Sequence, residues 1–204
     1  MSILTAPRAA AALLLSLMLT SGAVVLAGPA QADRWTYEDA AGDVSHVVET
    51  DTSLTVETLP DQANGDVVRV DATHTRRKIT LRLQMRTRLS GMFMLSGTIR
   101  TPASRFMFMS SRVPGMGGTE LLDLGTEKDD PTVRCAGLKR TFSSDRTALR
   151  IAIPRTCLGS PRWFRFRASL TTMAVFTDDS YDDDALRAGS GLFSFPASSP
   201  KIRR

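Results

Sequence analysis

Apolar and polar residues alternate with a period of two through much of the chain beyond residue 33. That is the pattern of strands with one face in a core and the other in water. The clearest run is Ile79, Leu81, Leu83 and Met85, interleaved with Thr80, Arg82, Gln84 and Arg86. Ahead of it, Val68, Val70 and Ala72 alternate with Arg69, Asp71 and Thr73, and the polar Thr75-Arg76-Arg77 between the two runs predicts a hairpin. Phe93, Leu95 and Ile99 continue the theme, as do Phe106 and Phe108. Leu149, Ile151 and Ile153 predict a strand stopped by Pro154. Phe164, Phe166, Ala168 and Leu170 predict another, with Trp163, Arg165 and Arg167 on its opposite face and residues 173–176 extending or following it. Residues 47–59, rich in Val and Thr, supply an early strand. Nothing long follows the helical i, i+3, i+4, i+7 spacing, and residues 120–124 and 182–188 hold a short helical turn at most. Turn residues recur about every ten positions, which predicts an all-β fold, a single antiparallel β-sandwich of jelly-roll or immunoglobulin-like type. Residues 60–65 and 113–118 read as loops. The sandwich is expected over residues 33–193, followed by a flexible basic tail over 194–204 that frays.

The one long apolar run lies outside this pattern. Arg8 precedes an uncharged stretch rich in Ala and Leu over residues 9–27, Gly28 and Pro29 break it, and Ala30-Gln31-Ala32 offers the small-x-small pattern of a signal-peptide cleavage site. Cleavage after Ala32 predicts a secreted, extracellular protein. The alternative is a membrane anchor through uncleaved residues 9–27.

An exported chain changes how charge and cysteine are read. The formal net charge is +5, mostly from Arg spread along the sequence. Nucleic acid is not an expected partner of an exported protein. Ordinary solubility charge is the plainer reading, and an anionic cell wall or polysaccharide the natural partner. No membrane contact is expected after cleavage, and a monomer is expected. The two cysteines, Cys135 and Cys157, are expected to form one disulfide. Their spacing is far from C-x-x-C, no His is near, and such a link typically adds about 3 kcal/mol.

Three groups of residues could carry chemistry. Asp39 and Asp43 flank Gly42 in a tight turn, and Asp178, Asp179 and Asp182 belong to a dense acidic run reaching Asp184. If the two segments neighbour each other, they could share one hard cation such as a structural Ca²⁺. Otherwise Asp39 and Asp43 cap a turn and the later run is a solvated loop. Trp163, Arg165 and Arg167 form a strand face able to stack a sugar ring or grip an acidic one, unless Trp163 covers the core edge and the arginines are solvated. Trp35 and Tyr37 are a weaker pair of the same kind. Met92, Met94, Met107, Met109 and Met116 could bind copper(I), but packing is the commoner use of thioethers.

Asp39-Ala-Ala-Gly42-Asp43-Val44, then Asn64-Gly65-Asp66-Val67-Val68-Arg69-Val70, then the alternating strand from Lys78 form an ordered series. In this the chain resembles secreted actinobacterial β-sandwich proteins of unknown function. More distantly it is similar to the DOMON and family-9 carbohydrate-binding sandwiches, whose chains often open with an Asp-x-x-Gly-Asp turn. The resemblance covers roughly residues 35 to 90. It implies a ligand-binding or structural sandwich, with calcium in some members. Haem is not carried over, because no Met or His pair is placed by motif.

Hydrolase and nucleotide signatures are absent: there is no Gly-x-Ser-x-Gly, no phosphate loop and no His-Glu-x-x-His. The two histidines, His46 and His74, have no zinc-site spacing. The expectation is a non-enzymatic module that binds an extracellular or envelope ligand such as carbohydrate. The alternatives are a hydrolase using paired carboxylates and a purely structural envelope protein.

Overall fold

The strongest alternating pattern becomes the centre of one sheet. In the computed structural model, which describes residues 33–49, 53–115, 117–173, 179–188 and 196–204, strands β1 (Asp33–Glu38), β2 (Ser45–Glu49), β3 (Leu54–Thr58), β4 (Val67–His74) and β5 (Lys78–Met85) open the domain. Next come β6 (Met92–Arg100), β7 (Arg105–Arg112), β8 (Gly118–Asp123), β9 (Lys139–Phe142) and β10 (Ala148–Pro154). A single 3₁₀ turn, Arg155–Leu158, leads to β11 (Trp163–Met173), β12 (Ser180–Asp184) and β13 (Ile202–Arg203). The expected signal peptide and anchor lie outside the described residues.

The strands form two antiparallel sheets packed against each other, a β-sandwich. One sheet runs β1-β4-β5-β10-β9; the other runs β3-β2-β12-β11-β6-β7-β8, with β13 paired to the start of β11. The period-two pattern fills the space between them. Ile79, Leu81, Leu83 and Met85 face Phe93, Leu95, Ile99, Phe164, Phe166 and Leu170 in one core. Burying each large aliphatic or aromatic side chain contributes roughly 1.5–3 kcal/mol before conformational entropy is counted.

Four local expectations are corrected. Residues 47–59 give two strands, β2 and β3, paired as a hairpin. A bulge between Val67 and Arg69 shifts the phase of β4, so Val67 is fully buried while Val68 is half-buried. Residues 120–124 and 182–188 are not helical: the first falls mostly in β8, and the second begins in β12 and ends in a turn. Of the tail expected to fray, residues 196–204 pack against the sandwich. Ile202 is buried, the Ser199 hydroxyl accepts from Phe166 N–H at 3.0 Å, and Arg203 N–H donates to Asp33 at 2.8 Å. One apolar side chain and two polar contacts of this kind are enough to hold a short segment against the sandwich.

Cys135 and Cys157 are bonded, with Cα atoms 5.5 Å apart. The link ties the segment before β9 to the 3₁₀ turn.

Candidate functional site

Both early crossovers between the sheets meet at one place. The chain leaves β1 in the first sheet and enters β2 in the second through the turn at residues 39–44; it returns from β3 to β4 through the loop at residues 59–66. Gly42 (φ +80°) and Gly65 (φ +90°) occupy left-handed positions in these connections, where a Cβ would meet Pro60 O at 2.9 Å and Thr172 Cγ2 at 2.8 Å. Glycine is required at both by conformation and by space.

These turns bring Asp43 and Asp66 against Asp183 of β12. The three each present a carboxylate oxygen within 4.8 Å of the others. Asp66 and Asp183 are 0% and 1% exposed. One oxygen of each is used within the protein: Asp66 Oδ2 accepts from Gly42 N–H at 2.8 Å and from Arg86 at 3.3 Å, and Asp183 Oδ2 accepts from Val67 N–H at 2.7 Å. Oδ1 of Asp66 and Oδ1 of Asp183 are buried without a hydrogen-bond partner among the described residues. Burial pushes the Asp183 carboxyl up to about 9; the Val67 amide opposes this, and Asp39, Asp43 and Asp66 reinforce it. Asp39 is pushed up to about 8, again by burial first and then by Asp43.

An orphaned buried carboxylate oxygen is costly. Here two of them sit in a set of three acids, with one partly exposed arginine, Arg86, as cationic counterweight. A hard cation taking oxygen ligands fits such a donor set. Asp43, Asp66 and Asp183 could hold it, joining the two crossovers to β12.

The other expected ligands are placed as follows. Asp182 points to the opposite face of β12, where its Oδ1 accepts from Ser169 and Thr171 hydroxyls at 2.7 and 2.8 Å. Asp179 lies 3.1 Å from His46 Nε2, and His46 stacks on Tyr181 with ring centres 5.0 Å apart. Asp178 lies outside the described residues. Asp39 sits beside the cluster, its Oδ1 accepting from Ala40 N–H. Asp66 is not among the candidate ligands expected from sequence, and Asp183, though inside the acidic run, is not singled out from it.

The strand face of β11 is divided. Trp163 is half-buried, with the Lys201 ammonium 4.6 Å above its ring. Arg165 and Arg167 line a separate groove of about 860 Å³ at the tip of the β6–β7 hairpin, together with Arg100 and Arg105. Trp35 stacks on Tyr37 and meets Phe166 edge-on with centres 5.7 Å apart, so it packs against the core. Met94, Met109 and Met173 border a cavity of about 400 Å³, and Met116 lies outside the described residues. His74 is buried, its Nδ1–H donating to the Ile202 carbonyl at 3.3 Å; burial holds its pKa below the usual histidine value.

Comparison with protein-family models, curated proteins and solved structures gives no match to this chain.

Proposed function

We propose that this chain is an extracellular, non-enzymatic β-sandwich binding module whose two inter-sheet crossovers are tied to β12 by a divalent cation, Ca²⁺ in the first instance. The observation that carries this reading is the burial of Asp66 and Asp183 within a convergent set of carboxylates. Ca²⁺ takes six to eight oxygen ligands in flexible geometry, and three carboxylates with nearby backbone carbonyls and water suit it. Burial also favours a structural over a hydrolytic role, because a glycosidase needs its acid pair open to the scissile bond. Binding is then left to the exposed strand faces. Export is supported by the pattern of residues 1–32, and the Cys135–Cys157 link is consistent with an oxidising compartment.

Thermal melting in chelator and after Ca²⁺ addition tests the cation, with a screen against glycoside and ester substrates alongside. The expected result is a melting temperature raised by Ca²⁺ and no turnover. Identical melting curves would remove the cation, and turnover abolished by Asp43→Asn would return the hydrolase reading.

A further inference from the structure

Arg165 of β11 lies directly opposite Arg100 of β6, and Arg100 lies directly opposite Arg105 of β7. Residues paired in register share a face, so three guanidinium-bearing side chains stand in one row across three adjacent strands. Adjacent strands are about 4.8 Å apart, so the row spans roughly 10 Å. Like charges directly opposite each other are destabilising in a sheet. Among the described residues none of these three arginines has an ion-pair partner. Arg167 adds a fourth cation two positions along β11.

The groove around the row is built, not accidental. The hairpin tip is braced by the buried Thr101 hydroxyl, which accepts from Ser104 N–H at 3.0 Å and donates to Ser104 O at 3.0 Å. Among the described residues no acidic one lines the groove. Asp123, at the end of β8, accepts hydrogen bonds from the Ser104 hydroxyl and Gly125 N–H. Leu124, a large apolar side chain left exposed, borders the arginines.

We propose that this groove binds a carboxylated polysaccharide. Arginine forks pair with planar carboxylates through two parallel hydrogen bonds, which favours carboxylate-bearing sugars over neutral ones. A row of cations suits a polymer that repeats its charge along a chain. The space, about 860 Å³, exceeds what a single small anion fills. Leu124 offers apolar surface to the C–H face of a sugar ring. The inference rests on the binding-module reading and assigns it a ligand class and a site.

The test uses the Ca²⁺-loaded full domain and oligogalacturonate as probe, with its methyl ester, neutral dextran, inorganic phosphate and a single-stranded oligonucleotide as comparisons. Oligogalacturonate is expected to bind and its methyl ester to fail, since esterification removes charge and keeps the ring. Arg100→Ala, Arg105→Ala and Arg165→Ala should each weaken binding roughly fivefold. The triple variant should lose at least fiftyfold while the domain melts no lower than wild type and keeps its Ca²⁺ response. Equal binding of the methyl ester, undiminished binding by the triple variant, or tighter binding of phosphate or oligonucleotide would each overturn the proposal. Binding of neutral glycans alone would remove the groove and leave the binding module standing. Binding of no glycan at all would remove both.

Discussion

The carboxylates of Asp43, Asp66 and Asp183 converge where water is largely excluded, whereas Arg100, Arg105 and Arg165 line up where water is plentiful. Both regions crowd like charge, and both do so through strand register and turn geometry. Their energetic consequences differ because the dielectric differs. Two unit charges about 4 Å apart interact by roughly 4 kcal/mol at an effective dielectric of 20, and by roughly 1 kcal/mol in bulk water. The buried acids therefore either keep protons or gather a cation. The arginine row can wait for a ligand at small cost, screened by salt.

The largest effect belongs to the cation itself. A ligand at a hundred times its Kd stabilises the folded state by about 2.7 kcal/mol. For a domain of this size that is a rise in melting temperature of roughly 5–10 °C. Asp183→Asn should abolish the rise. Its side-chain oxygen still accepts from Val67 N–H, but it no longer offers a charged ligand. In chelator at pH 8 the variant should melt at or above the wild-type temperature, because Asn, unlike Asp183, takes up no proton on folding. A variant that keeps the full Ca²⁺ response would break the contrast between the two regions.

Of comparable size is the pH dependence of the cation-free protein. Asp183 and Asp39 hold their protons in the folded state to about pH 9 and pH 8. In the unfolded chain they release them near pH 4. Between those limits the folded state binds more protons, so stability falls as pH rises. Melting in chelator should therefore be highest near pH 4–5 and decline until about pH 9. With saturating Ca²⁺ the decline should disappear, because the cation replaces the protons. A chelated protein that gains stability from pH 5 to pH 8 would refute this account of the acidic centre.

Why one region was more legible than the other follows from strand phase. Alternation alone placed Ile79, Leu81, Leu83, Phe164 and Phe166 in the core, because the period of two assigns a face to every residue once one is known. The arginines of β11 were legible for the same reason. Arg100 and Arg105 were not, since their place beside Arg165 depends on the register between strands distant in sequence. The acidic run was read as a loop or helical turn, so no phase was assigned to it. As strand β12 it sets Asp183 opposite the buried Leu170 and turns Asp182 toward Thr171. One position of phase separates a carboxylate of the acidic centre from one held by the hydroxyls of Ser169 and Thr171. Asp66 could have been suspected from its place between Gly65 and the apolar Val67-Val68, where a polar residue enters a buried strand. The C-terminal pairing had no local signal, because Ile202 stands between Lys201 and Arg203 with no alternating pattern around it.

Asp71 supplies an intermediate case: a buried carboxylate with cations around it. Burial alone would raise its pKa, but hydrogen bonds from Arg69, Thr36 and Arg34 outweigh this and hold it at about 2. Here the folded state binds fewer protons than the unfolded chain, so the sign is opposite to that of Asp183. The stability it contributes is present above about pH 4 and is lost as pH falls toward 2. The partner arginines are well exposed, so the contribution is about 1 kcal/mol. Denaturant titrations should show the gap between wild type and Asp71→Asn closing from pH 5 to pH 2. A gap constant across that range would mean that Asp71 acts through packing rather than charge.

The smallest effect is expected where the arginines stand. Arg100 has a like-charged neighbour on each side, and Arg105 and Arg165 have one each within the row. Replacing Arg100 by Ala should therefore stabilise the free domain slightly, by no more than about 0.5 kcal/mol at low salt, and the end positions less. The gain should vanish near 1 M salt, where the screening length of about 3 Å is shorter than the strand spacing. Chemical denaturation of Arg100→Ala and Arg165→Ala at two ionic strengths measures both the order and its loss. If Arg100→Ala destabilises the domain equally at low and high salt, its stem is packing against the sheet. The row would then be a structural surface, and the contrast with the acidic centre would rest on one charged region instead of two.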